Sequence, residues 1–113
     1  MANTFKLLTR DVAPAGAGTP ETIYTVQSGS TLVVLGLTLC NVHTAQVTAT
    51  VQIVSRGATN GTSFLAKNVP IAVGQSIEIL SGGKVILETG DLLRLDCSVT
   101  DKLSGTLSIM EIT

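Results

Sequence analysis

The sequence predicts an all-β chain, two antiparallel sheets packed as a β-sandwich. Three observations predict it. Short runs rich in Val, Leu, Ile and Thr recur from one end to the other, Gly, Pro, Asn, Asp and Ser punctuate them, and helical periodicity is hard to find. The 113 residues fit a single cooperative domain, residues 1–113, with nothing large enough to form a second core.

Residues 4–9 read as a first strand. Residues 13–20 (APAGAGTP) are too rich in Gly and Pro for regular structure and are expected to form a flexible loop or arm, suited to clasping a neighbour. A strand follows at 22–26, with a turn at 27–30. Residues 31–42 are unusual because both alternating faces are apolar. One face carries Leu32, Val34, Cys40 and Val42, the other Val33, Leu35, Leu37 and Leu39. A half-buried antiparallel strand should be polar on one side, so this run is either covered on both faces or makes an oligomer contact. Gly36 in its middle signals a bulge or a close backbone approach.

Residues 41–45 are expected to be a hairpin connection into a strand at 46–54, where Val47, Ala49, Val51 and Ile53 alternate with Thr48, Thr50 and Gln52. Residues 56–62 read as a surface loop, turned by Asn60-Gly61. The next strand, 63–68, is ended or confined to a sheet edge by Pro70. After a turn at 73–75, strands at 76–80 and 84–88 flank Ser81-Gly82-Gly83 like a hairpin. In the run 92–100, Leu93, Leu95, Cys97 and Val99 alternate with Arg94, Asp96 and Ser98. Asp101-Lys102 leads to the last strand, 103–112. There Leu107 and Ile109 share one face and Met110 and Ile112 the other, which calls for a bulge near Ile109 or a second apolar contact. The tally is eight or nine strands, as in jelly-roll or immunoglobulin-like sandwiches.

Composition narrows the function classes. Apolar residues make up 44% of the chain and charged residues 13%, about half the usual share, so apolar side chains are expected on the surface or in an interface. The seven basic residues are scattered and the net charge is -1, which offers no stripe to track phosphates, and nucleic acid is not an expected partner. Three aromatic residues, Phe5, Tyr24 and Phe64, are too few for a base-stacking or sugar-stacking platform. No apolar run is long enough for a spanning helix, so no membrane partner is expected, and residues 1–10 lack the pattern of a secretory signal.

Catalytic equipment is not recognisable. His43 is the single histidine and stands in an expected loop with no acid fixed beside it. Glu88, Asp91 and Asp96 read as solvated loop and strand charges rather than a hydrolytic pair. Glu88-Thr89-Gly90 lacks the Asp of an aspartic-protease loop, and a cupin-type metal site would need a histidine cluster. Gly16-Ala17-Gly18 precedes no helix, so it is not a phosphate loop. Cys40 and Cys97 lie in apolar runs, away from metal-ligand spacing, and read as buried free thiols, with a strand-to-strand disulfide as the alternative. No enzyme activity, cofactor or metal is expected.

Ile23-Tyr24-Thr25-Val26, Val33-Val34-Leu35-Gly36-Leu37 with Asn41, Ala66-Lys67-Asn68-Val69-Pro70-Ile71 and Gly90-Asp91-Leu92-Leu93 together resemble small virion structural proteins of tailed phages, notably those infecting cyanobacteria. The resemblance covers most of the chain and carries no catalytic residues. It implies a β-sandwich subunit, made in a host cytoplasm, that decorates and cements a capsid or forms part of a tail. Its expected partners are copies of itself, a trimer among the options, and the major capsid protein or tail proteins. The expected contact face is Val33, Leu35, Leu37 and Leu39, with the arm between Pro14 and Pro20 as a clasp. The alternative expectation is a fibre or baseplate adhesion module that binds a host surface through loops such as 56–62.

Overall fold

The structure is a computed structural model and describes residues 3–56 and 61–113. In chain order its strands are β1 (Asn3–Ala13), β2 (Glu21–Thr25), β3 (Thr31–Asn41), β4 (Val47–Val54), β5 (Thr62–Ile71), β6 (Ser76–Glu78), β7 (Val85–Leu87), β8 (Leu92–Cys97) and β9 (Leu103–Ile112). One sheet, here sheet A, runs β1-β9-β3, with β6 and β7 both paired to the far side of β3. The other, sheet B, runs β2-β8-β4-β5. All pairs are antiparallel. The fold is thus the expected β-sandwich, and its strand order is that of an eight-stranded jelly roll whose sixth strand is split into β6 and β7.

The split corrects one expected hairpin, because β6 and β7 both pair with β3 and not with each other. The other correction concerns residues 41–45. They do not join a hairpin, since β3 lies in sheet A and β4 in sheet B, and the segment arches between the layers. Asn41 makes the arch. Its buried Nδ2 donates to the carbonyls of Ala45 and Ile71, both at 2.9 Å, and its Oδ1 accepts from the His43 N–H at 2.7 Å. The Asn60-Gly61 turn expected between β4 and β5 lies partly outside the described residues. Pro70 sits in β5, an edge strand, where its missing N–H breaks no ladder.

β3 carries a one-residue bulge. Its register with β9 steps from Val34↔Ile109 to Gly36↔Ser108, so Leu35 has no partner. A bulge reverses which face the following residues occupy. Leu32 and Val34 before it, and Leu37 and Leu39 after it, therefore all point into the sandwich and are buried. They meet Leu103, Leu107 and Ile109 of β9, and Val47, Ala49, Val51, Leu93, Leu95 and Cys97 of sheet B, in one core. Full burial of a Leu or Ile side chain contributes roughly 1.5–3 kcal/mol. Gly36 stands at the bulge, where a Cβ would come within 3.3 Å of a Glu78 carboxylate oxygen and the carboxylate would have to shift.

A buried polar tie joins the layers. Glu111, on the inner face of β9, accepts from the Tyr24 hydroxyl at 2.7 Å and from Lys6 Nζ at 3.0 Å. The Tyr24 hydrogen bond and then the Lys6 hydrogen bond hold the Glu111 carboxyl below its usual range, while burial and the neighbouring Glu111 carboxylate push the Tyr24 hydroxyl up to about 12. A carboxylate with a depressed folded-state pKa stabilises above its unfolded value and loses that contribution as pH falls. A phenol with a raised one stabilises below its unfolded value and loses it as pH rises. The midpoint of urea unfolding is therefore expected to decline as pH falls below the ordinary Glu range, and again between the ordinary Tyr value of 10 and about 12. Glu111→Gln should flatten the acid limb.

Candidate functional site

The chemistry that a surface of this fold can perform is set by its two outer sheet faces, and they differ. On sheet A, strand alternation ahead of the bulge turns Val33 outward between the buried Leu32 and Val34. Cross-strand register then aligns four apolar residues in one row: Phe5 on β1 pairs with Met110 on β9, Met110 with Val33 on β3, and Val33 with Ile86 on β7. At strand spacing the row is about 14 Å wide. Phe5 is 71% exposed, Ile86 66%, and Leu7 in the adjoining row 65%. Ile112 borders the row on the other side, between Asn3 and Thr31.

Further along the same face the rows turn to hydroxyls, Thr9 beside Thr106 and Thr106 beside Thr38. Glu78 pairs with Thr38, but its carboxylate is turned onto the bulge. It accepts from the Leu37 N–H at 2.9 Å, from Thr38 Oγ1 at 3.1 Å and from the Leu80 N–H at 3.2 Å. Burial opposes ionisation of this carboxyl, yet the three hydrogen bonds together hold its pKa below the usual value. The face therefore presents apolar groups and hydroxyls, with its one paired acid engaged internally.

The outer face of sheet B is polar. Thr48, Thr50, Asn68, Asp96 and Ser98, together with Ala17 and Gly18 of the loop after β1, line an open groove of about 370 Å³. Thr50 Oγ1 accepts from the Asn68 N–H at 3.0 Å, and Asp96 Oδ1 accepts from the N–H groups of Gly18 at 3.1 Å and Cys97 at 2.8 Å. The groove has no aromatic wall.

These placements correct the expected contact face. Leu37 and Leu39 belong to the core at 1% and 0% exposure, so they do not share a surface with Val33 and Leu35, which are half-buried. Residues 13–20 do not reach outward as an arm. Pro14 is buried and Pro20 half-buried, and the segment is tied to its own sandwich by Ala15 N–H to Glu21, Ala17 N–H to Thr100 and Gly18 N–H to Asp96, while the Pro14 carbonyl accepts from the Asp101 N–H. Arg10 lies 3.1 Å from the Glu21 carboxylate and steadies the same loop. Phe5, Ile86 and Leu7 were not foreseeable as one surface from their separate strands. The one sequence signal was the change of phase at Met110 and Ile112, which the structure places on the outer face of sheet A.

The candidate chemical residues are dispersed in structural roles. His43 is half-buried in the arch, where its N–H is bound by Asn41. Asp91 is buried, and its two carboxylate oxygens accept from the backbone N–H groups of Arg56 and Glu88, both at 2.9 Å. Glu88 is exposed, and Asp96 lines the polar groove. Cys40 and Cys97 are free thiols, Cys97 buried and Cys40 half-buried. Among the described residues, no three His, Cys, Asp or Glu side chains cluster as metal ligands, and no helix is long and apolar enough to cross a membrane.

No protein-family model matches the chain, nor does any curated protein sequence. Among solved structures the chain is similar to one from Bacillus endospore appendages, reported to form a novel family of disulfide-linked pili. That likeness covers 99% of this chain and 87% of the other, with a TM-score of 0.56 and 13% sequence identity. At this identity it shows a shared β-sandwich fold.

Proposed function

We propose that this chain is a non-enzymatic structural subunit of a many-copy protein assembly, held in place through the apolar outer face of sheet A. The observation that carries the reading is the row Phe5–Met110–Val33–Ile86, which places large apolar side chains side by side on a face nearly free of charge. Exposed apolar groups ranked in one contiguous strip mark a protein contact more than single scattered ones do. The resemblance to virion proteins supplies the setting, a tailed-phage particle in which the subunit decorates and cements the shell. The structural neighbour supports the coarser part of the reading, since it too comes from an ordered assembly. Burying this row across a joint makes opening the joint costlier in free energy, and the effect repeats at every copy.

Sedimentation of the purified chain, alone and with isolated particles, tests this. Ile86→Asp and Phe5→Asp are each expected to weaken association on the order of tenfold or more, the effect of losing a well-placed apolar anchor. Both side chains are exposed, so thermal unfolding should stay near that of the parent. Unchanged association in both variants would overturn the proposal.

A second reading, an adhesion module, is favoured by the polar groove on sheet B, whose hydroxyl, amide and carboxylate groups suit a hydroxyl-rich ligand. Thr50→Val and Asp96→Asn should then abolish binding to host surfaces without altering association between copies.

A further inference from the structure

We infer that β1 pairs edge to edge with β1 of a second copy, antiparallel about Leu7, so that two sandwiches share one continuous sheet. This deepens the assembly reading and rests on it, because it names the first partner and the edge that receives it.

Sheet edges expose unpaired N–H and C=O groups, and folded chains ordinarily blunt them with short strands, bulges, proline or lysine. This chain blunts its other edges. β6 and β7 are three residues each. β2 has five residues and a register shift between Thr22 and Tyr24. β5 carries Lys67 and Pro70, Asn68 at a φ of 51°, and two register shifts against β4. β1 is treated differently: its own lysine, Lys6, is drawn inward to Glu111, and its register shift falls only beyond Arg10. It keeps unbroken register with β9 from Asn3 to Arg10, and among the described residues no strand pairs with its other side. Asn3 to Leu7 are exposed on both faces, so the chain's own body does not cover this stretch. The result is a long, regular, open edge that ends in Phe5 and Leu7, the apolar border of the outer face.

A second copy is the occupant that fits. Two identical antiparallel strands related by a two-fold axis keep their outer faces on the same side, so outward residues meet outward residues and inward meet inward. That leaves few registers. Pairing about Lys6 sets Lys6 against Lys6, and pairing about Leu8 sets Lys6 against Arg10, both like charges placed directly opposite, which is destabilising. Pairing about Phe5 leaves only a short overlap before the described strand ends. Pairing about Leu7 sets Leu7 against itself, Phe5 against Thr9, Lys6 against Leu8 and Thr4 against Arg10. Within the stretch of unbroken register, Asn3 to Arg10, it is the longest overlap with no like charges opposed; it brings the two Leu7 side chains together and sets the Phe5 row of each copy beside the Thr9–Thr106 row of the other.

The test uses Leu7 because its 65% exposure makes it dispensable for folding. Sedimentation velocity would compare the parent chain, Leu7→Lys, Leu7→Glu, an equal mixture of these two, and Ile86→Asp. The parent is expected to dimerise, and Leu7→Lys and Leu7→Glu each to lose the dimer, with dissociation constants raised on the order of tenfold or more. Their mixture should recover it, because Lys then faces Glu across the axis. Recovery by mixing is specific to a residue that meets its own counterpart. A monomeric parent, an unaffected Leu7→Lys dimer or a mixture that stays monomeric would overturn the edge pairing. If Ile86→Asp abolishes association while the Leu7 variants keep it, the pairing fails and the outer-face contact stands. If neither substitution changes association with copies or particles, both fail.

Discussion

Leu37→Asp is expected to abolish the cooperative unfolding transition, whereas Leu35→Asp, two residues away, is expected to keep it within about 1 kcal/mol and to alter association instead. The contrast follows from the bulge. Leu37 is 1% exposed and packed among Leu107 and the facing leucines of sheet B, so an aspartate there would be an unpaired charge in an apolar core. That penalty is several kcal/mol in practice, comparable with the total stability of a domain of this size, roughly 5–15 kcal/mol. Leu35 is the unpaired residue of the bulge and is half-buried outside that core, so a charge there keeps its solvent. Far-ultraviolet circular dichroism with urea titration separates the two outcomes. If both variants unfold, or neither does, the bulge is misplaced.

The second large effect concerns Asn41. Its side chain is 2% exposed and satisfies two carbonyls and one N–H, which close the arch between the layers. Asn41→Ala orphans those groups at a cost of about 2–4 kcal/mol, on the scale of 1–3 kcal/mol for each unsatisfied buried group with some relief by water. Asn41→Asp should be worse at neutral pH, because it replaces two donated hydrogen bonds with a carboxylate aimed at two carbonyl oxygens. It should recover part of the loss in acid, when the carboxyl is protonated and donates again. Urea midpoints for the two variants at neutral and acid pH measure this directly. An Asn41→Asp protein as stable as the parent at neutral pH would contradict the account of the arch.

Much of the fold is legible in the sequence because a strand states its own period. The alternation of Val47, Ala49 and Val51 and of Leu93, Leu95 and Cys97 marks inward faces, and the structure buries those residues in the core. β3 is where local reading fails, for a physical reason. A single unpaired residue exchanges the two faces, so Leu32 and Val34 join Leu37 and Leu39 although strict alternation separates them. Gly36 is the visible trace of that exchange. Hairpin and arch look alike in sequence because the choice depends on which layer receives the next strand. The polar tie of Glu111, Tyr24 and Lys6 joins three distant strands and leaves no local signal. The apolar row is hidden for the same reason: Phe5, Val33, Ile86 and Met110 become neighbours only through register.

The central claim is that the outer face of sheet A is buried against another protein subunit in the working assembly. High-resolution electron microscopy of the proposed particle, with this chain bound, tests it most directly. The account predicts protein density from a neighbouring subunit packed over Phe5, Val33, Ile86 and Met110. A particle in which that row faces solvent, with the polar groove of sheet B at the subunit contact, would contradict it.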